Sequence, residues 1–213
     1  MEGALGAGVA PRPLQNRVDP FGELHAVTGR GAFMGNRGGR IHRDDRTLGR
    51  PRWTSKRWIV CLCEFRGRRR NVWRDGYTEL FFLDEPTALA AGHRPCFECR
   101  WEDAKAFLAA FPGAPHGADA MDAVLHAERL KDGKQRLWRS KLGALPDGAM
   151  IVWREKAHAL RGGQLWPWNF AGYEPPLALA PELEVAVLTP RSTSAALANG
   201  YRPQWAGSAF AAA

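Results

Sequence analysis

The chain has 213 residues, 45% of them hydrophobic, and carries 30 Lys and Arg against 22 Asp and Glu for a formal net charge of +8. That length holds one or two domains with ample apolar material for a core, and no apolar run approaches the roughly 20 residues that span a bilayer. The basic excess favours anionic partners, and the lack of a basic amphipathic helix argues against a membrane surface.

No secretory signal opens the chain, so the expected compartment is the cytoplasm, where thiols stay reduced. Residues 1–15 are rich in Gly, Ala and Pro and are expected to be loose. From Asn16 to His42 frequent glycines separate short apolar pieces such as Leu24 to Val27 and Ala32 to Met34, a pattern of tight loops and short strands. Between Arg30 and Arg74 fourteen Lys and Arg face three Asp and Glu, with Trp53, Trp58 and Trp73 interleaved. Clustered arginines with aromatic residues suit phosphate contact and base stacking. The bland alternative is a solvated basic face, or arginines paired with acids elsewhere in the chain.

Trp58 to Phe65 is bulky and β-branched and predicts a strand, as does Val72 to Leu83, most clearly from Tyr77 on. A hairpin joining them would expose the arginine knot around Arg66, Arg68, Arg69 and Arg70. Asp84 suits an N-cap, with Pro86 in the first turn of a helix that runs to Ala91 and stops at Gly92. Trp101 to Phe111 follows as a helix with apolar Trp101, Ala104, Phe107, Leu108 and Phe111, and Asp119 to Leu130 as another. After Leu145 the pattern becomes β-rich. Ala149 to Trp153 and Ala157 to Leu160 form a hairpin, Leu165 to Trp168 an edge-like piece, Leu183 to Leu188 a strand, and a last helix ends at Asn199-Gly200. The eight residues Ala88 to Pro95 match Ala196 to Pro203 at six positions, and a shared Gly cap and Pro stop explain this most simply.

The four cysteines come in two pairs, Cys61 with Cys63 and Cys96 with Cys99. Residues two apart on a strand share a face, and a C-x-x-C turn presents two thiolates together. The expected outcome is one four-thiolate centre, with zinc the leading metal and iron left open. A helix starting just after Cys99 would favour the thiolate form. Buried free thiols or two disulfides are the alternatives.

The segment from Phe81 to Arg100 resembles the metal-binding domain of the Ada DNA-repair family. Ala91, Gly92, Arg94, Pro95, Cys96, Cys99 and Arg100 match its strand, short Ala-rich helix and Gly-x-Arg-Pro-Cys-x-x-Cys turn. The resemblance covers roughly residues 53–111. It implies a small α/β domain on DNA held by zinc, with Cys61 in the place of the methyl-accepting cysteine. The upstream pair is C-x-C here where the family has C-x-x-x-C, and neither a helix-turn-helix pattern nor a Pro-Cys-His-Arg motif follows.

Other chemistry is sparser. His42 with Asp44 and Asp45 offers metal-dependent nuclease groups, Asp122 and His126 an acid/base pair, and His93 a possible support for a metal ligand. Trp166, Trp168 and Tyr173 would line a groove or fill a small core. The expected fold is α+β, a zinc-clamped α/β unit at residues 16–135 followed by a smaller β-rich module at 145–208. The leading function is a zinc-binding, DNA-associated repair-type protein whose Arg40, Arg66, Arg68, Arg69, Arg70, Arg94 and Arg100 contact phosphates. A nucleic-acid enzyme, using Cys61 or a metal-dependent nuclease site, and a zinc-stabilised interaction module are the competing classes.

Overall fold

The computed structural model describes residues 12–68, 71–74 and 76–207. The protein is mixed α+β. Its N-terminal sheet contains β1 (Arg17–Val18), β2 (Leu24–His25), β3 (Phe33–Arg37), β4 (Trp58–Leu62), β5 (Leu80–Phe82) and β6 (Arg94–Pro95), in the order β2-β1-β5-β3-β4-β6. The expected hairpin between the strands at 58–65 and 77–83 does not form. β3 lies between β4 and β5 and pairs antiparallel with both. β4 and β5 therefore run the same way, and parallel strands need a crossover where antiparallel ones need only a tight turn.

Helix α1 (Glu85–Ala90) connects β5 to β6 and is buried at all six residues. It starts as its sequence dictates. Asp84 Oδ1 accepts a hydrogen bond from Thr87 N at 3.0 Å, and Pro86 occupies the first turn. It ends where Gly92 takes φ +82°. α2 (Trp101–Ala110) buries Ala104 and Phe107, while Trp101 points outward at 53% exposure. α3 (Ala118–Arg129) turns Met121, Asp122, Leu125 and Arg129 inward.

A small hairpin of β7 (Leu130–Lys131) and β8 (Lys134–Gln135) leads to the second sheet. That sheet holds β9 (Trp138–Lys141), β10 (Met150–Trp153), β11 (Lys156–Arg161), β12 (Gln164–Asn169), β13 (Gly172–Tyr173) and β14 (Glu184–Val187), in the all-antiparallel order β13-β12-β11-β10-β14-β9. The hairpin expected at 149–160 forms, β10 pairing antiparallel with β11. The piece at 165–168 is longer than expected and is not an edge, because β13 covers its outer side. The final helix α4 (Arg191–Ala198) packs on α2 and α3.

Apolar packing runs across the boundary between the two sheets. Leu83 and Ala90 pack with Met150, Ala157, Ala159, Tyr173 and Leu188, and Trp166 and Trp168 lie against the same cluster. Leu89 packs with Phe107, Met121, Leu125, Ala196, Leu197 and Tyr201. Helix α1 is thus common ground for both halves. No helix among the described residues is long and apolar enough to cross a membrane.

Candidate metal centre

The register of the first sheet brings three of the cysteines together. β6 runs parallel to β4 with Ile59 opposite Arg94 and Val60 opposite Pro95. One residue further on, the same register sets Cys61 beside Cys96, and Cys96 N donates to Val60 O at 3.0 Å. The turn that follows carries Cys99 back over the strand, closed by Arg100 N donating to Cys96 O at 3.0 Å. Ligand atoms of Cys61, Cys96 and Cys99 all lie within 4.8 Å of one another. Met34, Ile59, Tyr77 and Phe81 pack around them.

The donors around the sulfurs favour negative charge. Leu62 N points at Cys99 Sγ and Glu98 N at Cys96 Sγ, each at 3.4 Å. Hydrogen bonds from Cys61 and Cys99 hold the Cys96 thiol well below its ordinary range, while bonding to Cys96 pushes Cys61 up. Thiols this close titrate together, and a dication would displace their protons. Three sulfurs this close could hold one metal ion.

Cys63 does not join the trio. β4 ends at Leu62, the chain bends away, and Cys63 is exposed with its Sγ 3.5 Å from Ala32 O. The alternation argument fails here because it holds only while the strand continues. None of the four cysteines forms a disulfide.

The arginines divide sharply. Arg40, Arg66 and Arg68 are exposed, Arg40 paired with Asp44 and Arg68 with Glu98 at 2.7 Å. Arg69 and Arg70 lie outside the described residues. Arg94 and Arg100 are interior, which corrects their reading as phosphate contacts. Arg94 holds Asp122 through bonds of 3.0 and 2.8 Å. Arg100, with a side chain fully out of water, bonds Glu85 at 2.8 Å and Asp103 at 2.9 Å. Both sides of the C-x-x-C turn are therefore bolted to neighbouring helices by buried ion pairs.

The remaining candidates separate. His42 is buried, stacked on Trp73 at 5.4 Å and bonded through Nδ1 to Thr78 Oγ1, while Asp44 and Asp45 are exposed. Asp122 is taken by Arg94, and His126 Nδ1 lies 2.9 Å from Arg129 Nη2, so no Asp–His pair forms. His93 is a fully buried ring against Phe82 and Trp58, not a group beside the sulfurs. Of the aromatic trio of the second half, Tyr173 is core, and half-buried Trp166 and Trp168 pack against it. Tyr173 Oη donates to Asp84 Oδ2 at 2.9 Å and Trp168 Nε1 to Thr87 Oγ1 at 3.0 Å.

Sequence reasoning passed over Glu85, whose carboxylate also accepts from Tyr201 Oη at 2.5 Å and Gln204 N at 2.7 Å. A Glu after an N-cap normally reads as a solvated first-turn charge. It also passed over Arg37 and Arg129, which a basic stretch and a helix end conceal. Comparison with known proteins returns nothing similar: no family model matches this chain, and neither does any curated protein or solved structure.

Proposed function

We propose that this is a zinc-binding protein that associates with nucleic acid, DNA foremost, with the cysteine cluster as a structural centre. The observation that carries the reading is the meeting of Cys61, Cys96 and Cys99 from a strand and a turn 35 residues apart at the nearest pair. Zinc would be held by these three, and by Cys63 once its side chain swings past the end of β4. Bound zinc would supply a fixed positive charge that neutralises the thiolates and ties β4 to the turn before α2.

The nucleic-acid part is supported by charge. Arg40, Arg43, Arg46, Arg50, Arg52, Lys56, Arg57, Arg66, Arg68 and Arg74 are all exposed, against exposed Asp44, Asp45 and Glu64 in the same stretch. Cys63 standing apart favours one second reading, a three-thiolate centre with an open coordination position, the arrangement of reactive rather than closed zinc sites. Under it Cys61 would be the methyl acceptor that the Ada resemblance implies. Burial of Cys61 at 5% exposure speaks for the structural role.

Elemental analysis of the purified chain, with X-ray absorption counting sulfur neighbours, tests the metal. One zinc per chain with four sulfurs is expected, three sulfurs would favour the open centre, and a metal-free folded chain would defeat both. Gel-shift titration against salt tests the partner. The expected log–log slope is several units, set by the number of phosphates neutralised, and no binding to DNA or RNA would remove this half of the proposal.

A further inference from the structure

A second site lies away from the cysteines. A cavity of about 160 Å³ opens between the N-terminal sheet and the end of α3, and Arg37, Arg52, Arg129, Trp53, Trp58 and Glu23 are among its walls. Arg37 and Arg129 are only 3% and 2% exposed. They clamp the Trp58 indole, with guanidinium carbons 4.1 and 3.9 Å from its ring centre.

These two arginines are built unlike the other buried pair. Arg94 and Arg100 each meet a carboxylate. Neither Arg37 nor Arg129 forms an ion pair with any described residue. Arg37 donates to Gly22 O at 2.7 Å and to His93 Nε2 at 3.5 Å. Arg129 donates to Gly92 O at 2.8 Å and Lys56 O at 2.7 Å, and its Nε has no hydrogen-bond partner among the described residues. Glu23 and Asp19 attract Arg37, and Asp122 attracts Arg129, only across a gap, and a buried charge with no bonded counter-charge is costly. Carbonyl oxygens and an indole face offset part of that cost, and burial still lowers the two guanidinium groups to about 10 and about 9. An anion in the cavity would supply a bonded counter-charge.

We propose that this cavity is a phosphate site that takes the dianionic terminus of a phosphate monoester. Three arginines against Glu23 leave the named walls at +2, which matches a dianion. Guanidinium forks suit phosphate oxygens and leave N–H donors on both buried arginines. The volume is below the 300 Å³ or so at which pockets hold a whole small molecule. The site therefore holds one anionic group, and the rest of the ligand extends outward past exposed Arg52 and half-buried Trp53. The inference is independent of the metal, and Arg52 is the residue this site shares with the proposed nucleic-acid surface.

Titration calorimetry of the intact protein with inorganic phosphate, at ionic strength matched with chloride, tests it. One saturable site is expected, weakened at least fivefold in Arg52→Gln, a surface change that leaves the fold intact. Arg129→Met, where it folds, abolishes the binding, and where it does not, Arg52→Gln decides. Absence of saturable phosphate binding, or binding indifferent to Arg52→Gln, overturns the proposal. The source of the phosphate is read with single strands bearing a 5′-phosphate or a 5′-hydroxyl and with adenosine 5′-monophosphate against adenosine. Preference for the 5′-phosphorylated strand over both assigns a strand end, and preference for the mononucleotide assigns a free ester. Strands that bind equally well with either end while neither phosphate nor the mononucleotide binds would overturn the site and leave the nucleic-acid surface standing.

Discussion

Arg94 and Asp122 meet by two hydrogen bonds with side chains 5% and 2% exposed. Removing one partner strands the other charge in the interior. Asp122→Asn should cost about 3–5 kcal/mol in urea unfolding, whereas the double change Arg94→Met with Asp122→Leu should recover most of it. Asp84 is a buried carboxyl whose state changes with pH. Burial raises its carboxyl to about 6, against the pull of Thr87 and Tyr173. The folded value lies above the unfolded one of about 4, so the native state holds the proton more tightly. That stabilisation is complete below about pH 4 and is lost as pH rises through about 6, a difference of about 3 kcal/mol. Asp84→Asn, neutral throughout, should lack this loss. Unfolding free energies of wild type and variant measured from pH 4 to 7 should draw apart by that amount, and parallel curves would show that Asp84 does not titrate as stated.

Helices α1 and α4 end in the same way, which accounts for the repeated octapeptide. Gly92 N donates to Leu89 O and His93 N to Ala88 O, at 3.0 and 2.9 Å, and Gly200 N and Tyr201 N repeat the pattern to Leu197 O and Ala196 O at 3.1 and 3.0 Å. Both are Schellman caps with glycine at positive φ, +82° and +105°. Capping alone is sufficient reason for the likeness. The surroundings differ. A Cβ at Gly92 would lie 2.5 Å from Arg129 Cδ, while one at Gly200 meets open space. Gly200→Ala should cost about 1–2 kcal/mol from backbone strain alone, and Gly92→Ala clearly more, because the Arg129 stem must also move. Equal costs by chemical denaturation would show that the Arg129 contact carries no weight. Caps and breakers of this kind were legible in the sequence because they act over four or five residues. The order of strands was not, since nothing in residues 58–83 announces that β3, more than twenty residues earlier, inserts between β4 and β5.

At the scale of the molecule, the two sheets share their cores through α1. Leu83 and Ala90 pack into the second half, and Glu85 takes Tyr201 and Gln204 as partners. Gln135 Nε2 bonds the carbonyls of Pro20, Ala90 and Leu188 at 2.9 to 3.2 Å, tying three distant segments at one point. A chain cut after residue 135 would expose those apolar faces and strand the Glu85 carboxylate. It should fail to give the dispersed amide spectrum of a folded domain, and a well-dispersed one would show that residues 16–135 stand alone. Zinc removal should act on the same cooperative unit. A chelator should lower the single melting transition, added zinc should restore it as binding to the native state requires, and Cys96→Ser should abolish the response while Cys63→Ser leaves a larger share of it.

The sequence by itself determined the local matters: the α+β class, the cap at Asp84, the stop at Gly92, the hairpin at 149–160, and the cysteine pairs as the place to look for a metal. Each rests on periodicity or spacing within a dozen residues. Tertiary structure decided which of those side chains meet. Only the parallel register of β4 with β6 puts Cys61 beside Cys96, only the end of β4 turns Cys63 aside, and only packing distinguishes the arginines that reach water from Arg94 and Arg100, bonded to carboxylates, and from Arg37 and Arg129, buried with no carboxylate bonded to them. An arginine has the same letter in each of these places, and its partners, which set its charge balance and its task, come from tens of residues away.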